Sequence, residues 1–156
     1  LGYNDVMIAK ELSGYHLTPK YGIKYELKIN NLLIDLLTEY DCSNLQIGKI
    51  NFFKEIIITD EFIIIGEAET DLLTINNVDQ SVNIIDYTNN RYVICKCSCN
   101  AESFLHAMLH ALEFFSNRIK NPRLAYDTEY TGKYIEECAI IAGGMQYIDF
   151  YSLLME

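Results

Sequence analysis

Tryptophan is absent from the chain, and proline occurs only twice in 156 residues. Half of the residues are hydrophobic and 22% are charged, so the composition is that of a globular protein and not of a disordered or proline-rich one. Long hydrophobic runs are missing too. The longest, 62–65 and 138–142, fall far short of the roughly 20 residues of a membrane span. The first residues lack a basic head followed by an apolar core, so no secretory leader is expected. Basic charge is scarce: 12 Lys and Arg stand against 22 Asp and Glu, for a formal net charge of −10. That balance argues against a nucleic-acid backbone or an anionic membrane as partner, since both need Lys/Arg patches. A basic protein remains permitted.

Catalytic signatures are also lacking. There is no GxxxxGK or GxGxxG phosphate loop, no HExxH and no GxSxG. Gly143-Gly144 follows an apolar stretch and reads as a helix stop. Five cysteines, an odd number without regular spacing, suggest reduced thiols and a cytoplasmic setting. Cys95, Cys97 and Cys99 alternate along an expected strand and should share one face. His106 and His110 follow, one helical turn apart. Thiolates with imidazoles could bind zinc, and a cysteine with either histidine as base could act as a nucleophile. Two features oppose both ideas. The histidines fall on a polar helix face with Glu102 and Glu113, opposite Phe104, Met108 and Leu112. The CxxC loop of structural zinc sites is absent. Core cysteines and a solvated helix face are the simpler reading, with no catalytic residue, cofactor or metal expected. His16, beside Tyr15, reads as a surface loop residue. Twelve tyrosines suit interfaces and core edges alike.

The chain is rich in short apolar runs bounded by Gly, Asn or Asp. FIIIGEAETDLLTINNVDQSVNIIDY (62–87) reads as three strands broken at 66–69 and 76–80. Residues 55–90 also hold eight carboxylates and no Lys or Arg, which places −8 of the net charge on this segment. Upstream, strands are expected near 45–51 and 55–59, and downstream one at 92–98. Loops of two to five residues favour an antiparallel meander over βαβ crossovers.

Helices flank this sheet. Asn4 can cap a short one over 5–12. Thr18-Pro19 has the form of a second helix start. Ile29, Leu32, Leu33, Leu36, Leu37 and Tyr40 form an apolar stripe, predicting a helix over 23–40. Asn100 caps another to about 117, and residues 118–132 read as a basic, irregular connection. A helix over 133–142 and a helical 147–155 complete the chain. The expected fold class is α+β, an antiparallel meander of about five to six strands between N-terminal and C-terminal helices. At this length one domain, 1–156, is expected.

Three stretches carry a resemblance. DVMIAKELSGYHLTPKY (5–21) is similar to the first helix and Leu-x-Pro opening of the SUKH superfamily. FIIIGEAETDLLTIN (62–76) resembles its apolar strand, Gly-acidic turn and second strand. NAESFLHAML (100–109) resembles its closing helix. The likeness covers about 5–115, and residues 118–156 extend beyond it. Glu39-Tyr40-Asp41-Cys42-Ser43 stands where the family commonly has a Gly-rich turn and an aromatic. The resemblance implies a non-catalytic α+β binding domain. Bacterial members are typically immunity proteins that neutralise toxin domains, often nucleases, and fungal relatives regulate cell-wall synthesis. An acidic sheet would suit the basic grip of a nuclease, with Glu67, Glu69, Asp71 and Asp79 as candidate contacts. The expected partner is thus a basic toxin domain, with the chain a monomer or weak homodimer. The alternatives are a regulatory interaction domain without a toxin, and the zinc protein above.

Overall fold

The meander expected from the apolar runs forms the centre of the computed structural model, which describes residues 17–20, 25–27, 29–90 and 92–156. The helix expected over 5–12, and His16, lie outside the described residues. Strand β1 (Thr18–Pro19) pairs antiparallel with β2 (Tyr40–Asp41), and α1 (Leu32–Glu39) lies between them in the chain. Six further strands form one antiparallel sheet in unbroken chain order. They are β3 (Gln46–Ile47), β4 (Ile50–Ile58), β5 (Phe62–Ala68), β6 (Asp71–Asn76), β7 (Val82–Ile85) and β8 (Val93–Ser98). Helices α2 (Ala101–Lys120), α3 (Thr128–Ala142) and α4 (Ile148–Met155) follow, joined by 3-10 turns at Pro122–Tyr126 and Met145–Tyr147.

The hairpins are held by short polar side chains. Asn76 Oδ1 accepts from Val78 N–H (2.8 Å), Asp79 from Ser81 N–H (2.9 Å) and Asp86 from Thr88 N–H (2.7 Å). These side-chain turns are the physical reason Asn and Asp punctuate the segment. Gly66 marks a bulge in β5, where the register shifts between Ile64 and Gly66. A Cβ there would collide with the Asn51 carbonyl oxygen, so glycine lets β4 and β5 close up.

Helix α2 is the hub of the core. Phe104, Ala107, Met108, Ala111 and Phe114 are all buried in the main cluster. It touches both β3 and β8, the two edges of the sheet. Flat, six strands would hold those edges about 24 Å apart, so the sheet curls about the helix. Helices α3 and α4 add Tyr134, Ile135, Cys138, Phe150 and Tyr151 to the same cluster. They also finish the β8 edge: Tyr151 Oη donates to the Cys97 carbonyl (3.0 Å), and Cys99 N–H donates to Ala142 O (2.9 Å). Covering an edge in this way removes a template for strand pairing.

Several expected boundaries move. Thr18-Pro19 opens no helix; it is strand, held against the end of α1 by Lys20 N–H to Glu39 O and Lys20 Nζ to Leu37 O, both 2.8 Å. The helix expected over 23–40 is confined to Leu32–Glu39. Asn31 caps it through Oδ1 to Ile34 N–H (2.9 Å), and Ile29 packs on the core from outside the helix. The strands expected near 45–51 and 55–59 are instead a two-residue β3 and one long β4, irregular between Phe52 and Ile57. The connection expected over 118–132 is mostly helical. Helix α2 continues to Lys120, Pro122 opens a 3-10 corner, and Asp127 Oδ1 caps α3 at Tyr130 N–H (2.9 Å).

Candidate functional site

The two faces of the sheet differ. Ile63, Ile65, Leu73, Ile75, Val82 and Ile84 face the helices in the main core. Their neighbours point the other way, because side chains alternate along a strand. On that outer face Phe62, Ile64 and Ile85 form a second, smaller buried cluster, with Phe53 and Leu72 packed against it. Every member belongs to the sheet, and no described helix joins them. Cross-strand register completes the face. Ile64 stands opposite Thr74, Thr74 opposite Asn83, Asn83 opposite Lys96, and Ile85 opposite Val93.

A depression of about 370 Å³ opens on this face. Phe62, Ile85 and Val93 supply its apolar lining, Thr74, Asn76 and Asn83 its polar one, and Glu61 and Asn90 its rim. A second hollow, of about 360 Å³ and lined by Thr59, Asp60, Glu61, Phe62 and Asn90, adjoins it and shares three of those residues. The rim is braced. Asn77 N–H donates to Glu61 O (3.0 Å), and Asn77 Nδ2 donates to Thr59 O (2.9 Å) and Asp60 O (3.0 Å). One asparagine thus ties the β4–β5 turn to the β6–β7 turn. Tyr87 and Tyr92, in the β7–β8 connection, are exposed, and Val93 is 44% exposed.

The four candidate carboxylates do not form one patch. Glu67 stands opposite Leu72 and Asn51, which places it on the outer face. Glu69 sits at the β5–β6 turn with φ +58° and pairs with Lys49 (3.0 Å). Asp71 opens β6 and accepts from Tyr87 N–H (3.3 Å). Asp79 lies in the turn at the opposite end of β6, a strand length of about 20 Å away, where hydrogen bonds from Ser81 hold its carboxyl below the usual range. Asp86 is held down likewise by Thr88. Asp60 and Glu61 join Asp79 at that end, which the charge count alone had not separated. Among the described residues no cation lies within ion-pair distance of Asp60, Glu61 or Glu67.

The cysteines and histidines are dispersed. Register shifts in β8 leave Cys97 buried and Cys95 half-buried against the helix-side core. Cys99 falls beyond the strand, exposed, with Sγ 3.7 Å from Ser103 Oγ. Cys95 and Cys97 thus share the helix-side face that alternation implies, and Cys99 does not join them. Burial pushes the Cys97 and Cys95 thiols up, away from the reactive thiolate. His110 is not on a solvated face. It is buried between α2 and α3, with Nε2 2.7 Å from Glu137 Oε2, Nδ1 3.5 Å from Glu113 Oε2 and its ring stacked on Tyr134 at 4.7 Å. Tyr134 Oη in turn donates to Glu113 Oε1 (3.1 Å). Among the described residues no three His, Cys, Asp or Glu side chains gather as a metal site would require.

The asparagines of the depression were missed at the sequence level. Asn76 and Asn83 interrupt otherwise apolar strands at outward positions, and that alternation was the available signal. No protein-family model, curated protein or solved structure matches the chain.

Proposed function

We propose that the chain is a non-catalytic protein-binding domain, an immunity protein that binds and neutralises a basic toxin domain through the outer face of its sheet. The observation that carries this reading is a sheet face that no described helix covers, with an apolar floor and a rim bearing Asp60 and Glu61. Such a face combines the two requirements of a protein interface. Apolar and aromatic area excludes water, and rim charge steers and orients the partner. Glu67 extends the negative field across the face, and Lys96 stands opposite Asn83 on the β8 edge. The resemblance of 5–21, 62–76 and 100–109 to the SUKH superfamily supports the immunity role. In this reading the chain acts in the cytoplasm as a monomer or weak homodimer.

The test begins with the neighbouring coding sequence. A large secreted protein with a basic C-terminal domain is the expected neighbour. Expression of that domain should arrest growth, and co-expression of this chain should restore it. The triple substitution Asp60→Lys, Glu61→Lys, Glu67→Lys should slow association at low salt by about tenfold or more, because steering acts on the on-rate. An unchanged on-rate sinks the electrostatic interface. A stable complex that gives no protection replaces the immunity role with a regulatory one.

A further inference from the structure

We propose that the depression at the Glu61 end of the outer face is a receptor for one arginine side chain of the partner. This deepens the protein-binding reading and rests on it. Four observations converge on a guanidinium. The hollow is at the small end of the range for ligand pockets, so it suits one side chain and not a helix or a strand. Phe62, Ile85 and Val93 supply the apolar part of its lining. A planar, weakly hydrated cation packs against such a surface, whereas a compact ammonium keeps its water. Glu61 lines the hollow, and Asp60 lines the adjoining one, so two acidic residues border the site. The lining also holds neutral amide acceptors. Asn83 spends Nδ2 on Ser81 Oγ (3.1 Å), which leaves its Oδ1 to accept. Asn90 lines both hollows.

This combination is selective. Arginine presents five N–H donors in a rigid plane, which can be shared between a carboxylate and flanking carbonyl oxygens. Lysine offers a compact, strongly hydrated ammonium without the planar fork, so it gives up more hydration on entry and cannot lie flat against the apolar lining. A carboxylate ligand would meet Glu61 and is repelled. The receptor is also rigid before binding, because Asn77 braces the turn that carries Asp60 and Glu61. Little ordering is therefore needed when the side chain enters. Buried arginine anchors of this type are among the residues that dominate interface energies.

The experiment reads the hollow directly, without the unidentified partner. Isotope-labelled protein is titrated with N-acetyl-arginine N-methylamide and, separately, with the lysine analogue, at constant ionic strength. Saturable shifts confined to the amides of Glu61, Phe62, Asn83 and Asn90 are expected for arginine, with a Kd in the millimolar range and lysine about tenfold weaker. Glu61→Gln should weaken the arginine complex by about tenfold, the loss of one charge-assisted contact. Glu129→Gln, in the first turn of α3, should leave it unchanged. Equal response to both analogues, shifts that do not saturate, or insensitivity to Glu61→Gln would overturn the proposal. So would arginine binding seen only after Arg91→Ala, since the hollow would then serve the chain's own side chain. Failure here leaves the growth-protection test intact. Failure of that test with arginine still bound removes the toxin and not the receptor.

Discussion

Leu72 and Leu73 are adjacent on β6 and chemically identical, yet they belong to different parts of the molecule. Leu73 is 0% exposed and lies on the helix-side face, inside a cluster that includes residues of all four described helices. Leu72 is half-buried and packs against the sheet cluster of Phe62, Ile64 and Ile85. Pleating puts one residue in the interior and the next at a surface with no described helix above it. The inner face is closed by its own chain. The outer face has the same raw material, with Phe62, Ile64 and Ile85, but it is interrupted by Thr74, Asn76 and Asn83 and rimmed by carboxylates. A face built to meet another helix would have no use for those amides. A face built to meet a wet, charged partner would.

The largest expected effect follows from that pair. Leu73→Ala should cost about 2–5 kcal/mol, the usual range for emptying a fully enclosed leucine site. Leu72→Ala should cost about 1 kcal/mol, because part of its surface already meets solvent. Urea denaturation followed by far-ultraviolet circular dichroism measures both. Equal losses would break the comparison, for they would mean that the outer face is enclosed as fully as the inner one. Next in size is Gly66→Ala. The new methyl would press on the Asn51 carbonyl oxygen and must push β4 away from β5, at about 1–3 kcal/mol. A neutral outcome would show that the bulge can relax, and that the closeness of β4 is not what sets the curl.

The sheet was legible because its signals are local. Short Ile/Leu/Val runs and Asn/Asp turns each carry their own geometry, and 62–87 folds much as those runs imply. The helices were legible where a cap coincided with an apolar stripe, as at Asn100. They were misread where the decisive contact is distant. Asn31 starts α1 later than the apolar stripe implies and also donates to Gln80 Oε1 (3.1 Å), 49 residues away. No window around residue 31 contains that partner. Pro122 and Gly132 both fall in the stretch 118–132 that reads as an irregular connection, but Pro122 turns a tight corner and Gly132, with nothing near its absent Cβ, sits inside α3. His110 was placed on a solvated face because its polar neighbours in α2 suggested one. The chain that buries it, α3, brings Glu137 from 27 residues on. The candidate site was half legible. Charge counting found the acidic segment, but it could not tell a carboxylate that holds a turn from one that faces outward.

That distinction yields the smallest and most discriminating prediction. Asp79 and Asp86 have carboxyls held below their ordinary range by Ser81 and Thr88 respectively. In the unfolded chain each returns to about 3.9. The unfolded state therefore binds more protons in this window, so stability rises with pH. The contribution is complete above the unfolded value and disappears as pH falls through the lower, folded one. Asp79→Asn with Asp86→Asn should lower the urea midpoint slightly near neutral pH and flatten its decline below about pH 4. Glu61→Gln, at a residue that lines the depression, should leave the urea midpoint near neutral pH as it was while weakening the arginine complex. If instead Glu61→Gln lowered the urea midpoint and the aspartate pair did not, Glu61 would be structural. The outer face would then lose its claim to be the surface left for a partner.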